Sequence, residues 1–449
     1  MSMLINAISA IGNNSGIAPL LVRDCGIEAS SKVVQAYTQN AKDSKVMAKH
    51  ATRERFIEEY GTSLVWFGGV PAVEWIVNKF INKKGINPKI NYKLFENKDN
   101  LDFTQQNIDT NIKKFKELAP KEVAELEKAK SMGKTLKNMT VGKYAAALAI
   151  PVALMGFILP KSNFALTRYL MDKDAQKGLL PEKYLKSNKN KSLSYISEDT
   201  ARINYNRLYN PSNNVEFASL NSLKNNADKD TNFKGFASFM TGLTHQQKMC
   251  ATDVGLTVGR VSTSRKRNEA IENAFKMSCM LYLNFRAPKK IEKGLDYITN
   301  KMFGINPSLD PKIMTNKRFL AQVRSDKLQL PQKREEVIEF LDKNPKSLFS
   351  KILEKRGDVK YLESGIRDPR AYVDTQKVFE LSEQMNKFAA DAKKSGNIIK
   401  YTNKAVKAKS LNIVMNIAIS SALLAVALPQ AQYGLRRLIS DSKADPGLL

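Results

Sequence analysis

Residues 159–172 read LPKSNFALTRYLMD and residues 428–441 read LPQAQYGLRRLISD. The two align without a gap. Leu159/Leu428, Pro160/Pro429, Leu166/Leu435, Arg168/Arg437 and Asp172/Asp441 are identical; Asn163/Gln432, Phe164/Tyr433, Ala165/Gly434 and Leu170/Ile439 are close exchanges. Each block directly follows an apolar run, and the runs match at the same offset, Ala149-Ile150 with Ala418-Ile419 and Ala153-Leu154 with Ala422-Leu423. A repeat constrains a fold more than any local pattern, because what one copy adopts the other must also be able to adopt.

Weaker matches continue upstream in the same order. Gly85-Ile86-Asn87-Pro88 returns as Gly304-Ile305-Asn306-Pro307, and Ile76-Val77-Asn78-Lys79-Phe80 resembles Ile298-Thr299-Asn300-Lys301-Met302. Arg53, Glu54, Ile57 and Glu58 resemble Arg267, Glu269, Ile271 and Glu272, and Asp24-Cys25-Gly26-Ile27 resembles Asp253-Val254-Gly255-Leu256. The Gly-Ile-Asn-Pro motifs lie 304 − 85 = 219 positions apart and the Leu-Pro blocks 428 − 159 = 269 apart, so the second copy carries 50 extra residues between them. These landmarks divide the chain into an N-terminal segment (1–16), a first helical unit (17–175), a polar linker (176–245) and a second unit (246–449) with an insertion near 308–370. Strand alternation is scarce, so the expected fold is all-α: a tandem duplication of a helical unit, with two long apolar transmembrane helices and long amphipathic helices.

Tyr144–Pro160 holds no charge over 17 residues and Ser410–Leu435 none over 26. About 20 apolar residues cross a bilayer core, with a lower limit near 17. Pro151 is compatible with a membrane helix, and the small residues Ala145–Ala147 and Ser420–Ala422 favour close helix contact. A third apolar stretch, Gly61–Val73, continues past Glu74 and contains or adjoins both tryptophans, Trp66 and Trp75, which suit a membrane–water boundary. Its counterpart, Phe275–Phe285, carries Lys276 and reads as an interfacial or packing helix. Lys and Arg flank the spans on both sides, so no orientation follows. Residues 2–12 read as a short amphipathic helix rather than a signal peptide, because no basic region precedes them.

Within each Leu-Pro block the proline (Pro160, Pro429) is expected to break the helix. Past it an aromatic and an arginine four residues apart, Phe164 with Arg168 and Tyr433 with Arg437, share a face and read as an interfacial anchor. A twin anion or headgroup site formed by the two arginines is the sharper alternative. The Gly-Ile-Asn-Pro motifs read as turns. Elsewhere residues 31–58, 101–131 and 371–394 read as helices, and 181–235 as a flexible linker.

The formal charge of +28 points to anionic lipid surfaces more than to nucleic acid, since the excess is mostly Lys and base reading favours Arg. Three cysteines without a CxxC give no disulfide framework or zinc spacing. Gly133-Lys134-Thr135 lacks the first glycine of a phosphate loop, and Asp228, Asp230 and Asn232 lack the glycine and glutamate of a calcium loop. With only His50 and His245 the usual acid–base schemes lose their main player. No catalytic, cofactor or metal site is expected. The expectation is a membrane protein, at a cytoplasmic or inner membrane, with a structural, scaffolding or interaction role. Its partners would be the lipid bilayer with anionic lipids, and protein partners or a second copy. A channel or carrier on a pseudo-twofold repeat is the first alternative, a soluble nucleic-acid-binding protein the second.

Overall fold

A computed structural model describes residues 2–13, 16–42, 44–95, 105–180, 245–264 and 266–440. The expected linker at 181–235 lies outside them. Among the described residues the fold is all-helical; the one extended pairing is a bridge between Tyr361 and Arg367.

The first half contains α1 (Ser2–Gly12), α2 (residues 18–40), α3 (Lys45–Lys83), α4 (Ile108–Phe115), α5 (Pro120–Ser131) and α6 (Gly133–Gln176). The charged segment 31–58 is two helices rather than one. Ser44 is extended (φ −162°, ψ 129°) and its side chain accepts from the Met47 N–H, starting α3 afresh. The second half contains α7 (His245–Ser262), α8 (Arg267–Phe285), α9 (Ala287–Phe303), the short helices α10 (Pro311–Met314), α11 (Lys317–Ser325), α12 (Val337–Lys343) and α13 (Leu348–Arg356), then α14 (Thr375–Lys394) and α15 (residues 398–440).

Both Gly-Ile-Asn-Pro motifs are helix stops. Gly85 (φ +74°) and Gly304 (φ +62°) are left-handed just past α3 and α9, a conformation that glycine adopts without steric penalty. Ile86 and Ile305 after them are buried. The connectors that follow pack on each other. Gln106 exchanges two 2.8 Å hydrogen bonds with the Val373 backbone, Asn111 donates to Pro369 O at 2.8 Å, and Arg370 reaches Glu125 at 3.0 Å. The segment after Gly304, including the expected insertion, is a folded unit with its own core of Leu309, Phe319, Val337, Leu341, Phe349, Leu353, Met385 and Phe388. Because the two connectors meet, α3 and α9 run toward the same end of the molecule, and α6 and α15 return from it. The two halves are parallel.

Among the described residues three helices are long and apolar enough to cross a membrane: α3, α6 and the stretch Ile398–Ile439 of α15. Their outer faces carry exposed Leu64, Trp75, Phe157, Ile158, Leu411 and Val426. These exposed apolar side chains form a belt compatible with a membrane location. Polar contacts bracket it. Near the connectors Lys143 donates to Asn78 (3.4 Å) and Asn412 donates to Asp296 (2.8 Å); at the far end lie Asn163 and Gln432, both buried. From 143 to 163 and from 412 to 432 is 20 residues each, about 30 Å at 1.5 Å per residue, which matches a bilayer core.

Candidate functional site: two proline crossings and the charged chambers beside them

A proline inside a helix cannot donate to the carbonyl four residues before it. For Pro160 that carbonyl belongs to Gly156, and for Pro429 to Ala425. Neither helix breaks, contrary to expectation. Leu154–Ile158 and Leu423–Ala427 form π-helical turns, 269 positions apart. In each the residue before the proline bonds five back, Leu159 N–H to Leu154 O and Leu428 N–H to Leu423 O. The wider turn makes room for the ring, so α6 and α15 continue through it.

Each deprived carbonyl is then served from the other half of the chain. Gly156 O accepts from Thr263 Oγ1 (3.4 Å), beyond the end of α7. Ala425 O accepts from Ser31 Oγ (3.2 Å) and Gln35 Nε2 (2.7 Å) on α2. So α7 of the second half crosses α6 of the first, and α2 of the first half crosses α15 of the second. The α6–α7 crossing is very close: a Cβ on Gly259 would stand 2.7 Å from Gly156 Cα, and one on Gly255 2.6 Å from Val152 Cγ2. That glycine pair, four apart, is the small-residue spacing of tightly packed membrane helices. The α2–α15 crossing uses a nine-residue π-helix, Leu21–Ala29, carrying buried Arg23 and Glu28.

Between the crossings the interior is ionic. Lys32 pairs with Glu28 and, at 3.5 Å, Glu59; Arg55 reaches Glu58 at 2.8 Å; Arg260 pairs with Glu58 and donates to Thr62 (2.8 Å). Lys276 lies 3.3 Å from Glu59 and 3.8 Å from Glu58. Arg436 grips Glu272 with two nitrogens, at 2.7 and 2.6 Å, and Gln432 donates to the same carboxylate. Burial pushes the Lys276 ammonium down to about 8 against the pull of Glu59 and Glu58. Burial also opposes charge on Lys32, but Glu28 and Glu59 outweigh it and hold that ammonium above its ordinary value.

Two small chambers open here. One, of about 50 Å³, is lined on α6 by Pro160, Asn163 and Phe164, with Glu54, Glu58, Glu269 and Glu272 facing Arg55, Arg260 and Arg436. The other, of about 30 Å³, is lined on α15 by Pro429, Gln432, Tyr433 and Arg436, with Lys32, Arg55 and Lys276 and no carboxylate. The lining positions 160, 163 and 164 become 429, 432 and 433 at the 269-residue offset. The chambers adjoin, sharing Ala51, Arg55, Gln432 and Arg436; the first adds four carboxylates and the second adds Lys32 and Lys276.

The sequence-predicted residues divide accordingly. Phe164 and Tyr433 are half-buried and line the chambers. Arg168 and Arg437 are exposed; the buried arginine is the neighbouring Arg436, the counterpart of buried Thr167. Trp66 is 4 % exposed, packed against Phe67 and Phe285, so it cannot anchor an interface. Trp75 is 59 % exposed with Lys79 Nζ 3.7 Å over its ring. Pro160 and Pro429 are buried in continuous helices. Sequence reading missed Glu272, Lys276 and Arg436; the available signal was the i, i+3, i+7 face of 429, 432 and 436. Among the described residues no three His, Cys, Asp or Glu side chains group as a metal set. No protein-family model, curated protein or solved structure matches the chain.

Proposed function

We propose that this chain is an integral membrane protein made by duplication of a helical unit, and that it acts as a channel or carrier for small inorganic ions. The observation that carries the reading is the pair of charged chambers between the two Leu-Pro blocks, at one end of the apolar belt. Ionisable groups are expensive at membrane depth and tend to face a bundle interior or an ion path. Parallel repeats that enclose a site on their shared axis are one of the architectures transporters use. The duplication is supported by π-turns, prolines, crossed carbonyl caps and left-handed glycines at matching positions of the two halves.

The test is reconstitution of the purified chain into liposomes, with potassium, chloride and proton fluxes followed separately. Flux of one ion well above protein-free vesicles is the expected result; none for any of the three defeats the carrier reading. Carbonate extraction checks the membrane assignment by itself: the chain should stay in the pellet. A structural or scaffolding role is the second reading, favoured by the folded connector unit, which offers a large non-membrane surface. It is the one left standing if the chain resists extraction but moves no ion. The apolar belt weighs against a soluble nucleic-acid-binding protein.

A further inference from the structure

We propose that the cation-lined chamber binds a small monovalent inorganic anion, with chloride as the representative. This rests on the ion-channel or carrier reading and names the ion class at that site. Four cationic side chains border the chamber: Lys32, Arg55, Lys276 and Arg436. Three are at most 6 % exposed and Arg55 is 18 %. Their carboxylate partners, Glu28, Glu58, Glu59 and Glu272, are absent from its wall. Each of these carboxylates pairs with one of the cations from outside the wall, and Glu58 and Glu272 line the adjoining chamber. Where the dielectric is low, a space bordered by cations and by no carboxylate favours an anion.

The size and the remaining wall agree. A volume of about 30 Å³ holds roughly two waters at 10–15 Å³ each, or one halide, and is too small for an organic anion. Gln432, whose amide donates one N–H to Glu272, has a second N–H to offer. Lys276 shows where the charge is undercompensated. Its ammonium has three N–H groups and one hydrogen bond among the described residues, to Glu59 at 3.3 Å, longer than a usual charge-assisted contact. An anion in the chamber completes its coordination. The adjoining chamber carries Glu54, Glu58, Glu269 and Glu272 against Arg55, Arg260 and Arg436, so it is not a second anion site.

The experiment measures binding without transport. Chloride-35 magnetic resonance on the full-length protein in detergent should show line broadening that saturates with chloride and is displaced by bromide. Gluconate at equal ionic strength should leave the protein less heat-stable than chloride does. Lys276→Met should weaken binding at least tenfold and Lys276→Arg should restore most of it. Gln39 of α2 also lines the chamber and carries an amide donor; Gln39→Leu should weaken binding severalfold with helical content unchanged, which keeps the test decisive if Lys276→Met fails to fold. No saturable broadening in the folded native chain, or unchanged affinity in Gln39→Leu together with any folded Lys276→Met, overturns the proposal. Saturable binding without liposome flux keeps the anion site and removes the carrier reading; cation flux without chloride binding does the reverse.

Discussion

At the α6–α7 crossing the carbonyl of Gly156 meets a surface with no side chain, since Gly259 Cα is close enough to exclude a methyl group, and the cap from Thr263 is long at 3.4 Å. At the α2–α15 crossing the matching carbonyl, on Ala425, takes two side-chain donors, one as short as 2.7 Å. Both places carry the same defect, a proline four residues on. The first relies on backbone proximity and packing; the second on hydrogen bonds. The difference reaches the chambers: room for side chains around α15 coincides with Arg436, where α6 has Thr167.

That contrast can be broken by substitution, with thermal midpoints in detergent as the readout. The largest loss should come from Glu272→Ala, which strands Arg436; truncating one partner of a buried ion pair costs about 3–5 kcal/mol. The double change Glu272→Leu with Arg436→Leu should recover most of it, as apolar replacement of a buried pair is often close to neutral. If the double variant is as unstable as the single one, the pair holds the fold by more than charge. Next comes Gly259→Ala, which drives a methyl into the Gly156 backbone at a cost of about 1–3 kcal/mol. At the other crossing Ala425→Gly should cost about 0.5–1 kcal/mol, an entropic effect only. Equal losses at the two sites would erase the distinction between packing and bonding. Removing both donors in Ser31→Ala with Gln35→Ala leaves a buried carbonyl without its caps and should cost about 1–3 kcal/mol. The smallest effect is expected for Thr263→Val, at most about 1 kcal/mol, because that hydroxyl already bonds Gly259 O at 2.9 Å.

Much of the frame was readable beforehand. Periodicity and the scarcity of alternation pointed to helices, and Gly85, Gly304 and Gly396 stop them because a left-handed residue is cheapest as glycine. Charge-free runs marked α6 and α15. The fate of the prolines was not legible, since a break and a π-turn differ in whether a distant residue can serve the stranded carbonyl. Thr263 lies 107 positions from Gly156, and no local pattern contains that. For the same reason identity within the repeat drew attention to Arg168 and Arg437, which are exposed. The divergent pair, Thr167 and Arg436, is the one that faces inward. Lys276 looked like the polar edge of a short helix; its carboxylates come from α3, more than 200 positions away.

The crossed arrangement also sets a clock. Ser31 and Gln35 end on a carbonyl 394 and 390 positions further along. A ribosome adds about 5–20 residues per second, so α2 waits roughly 20–80 s before its partner exists. Through that interval the rod holding Arg23, Asp24, Glu28 and Lys32 has no α15 to pack against, and a lipid interior is a poor place for it to wait. On the proposed membrane reading, the first half enters the bilayer as an open clasp, with α2 held outside until α15 arrives to close it. Any truncation before Ala425 would leave the clasp open.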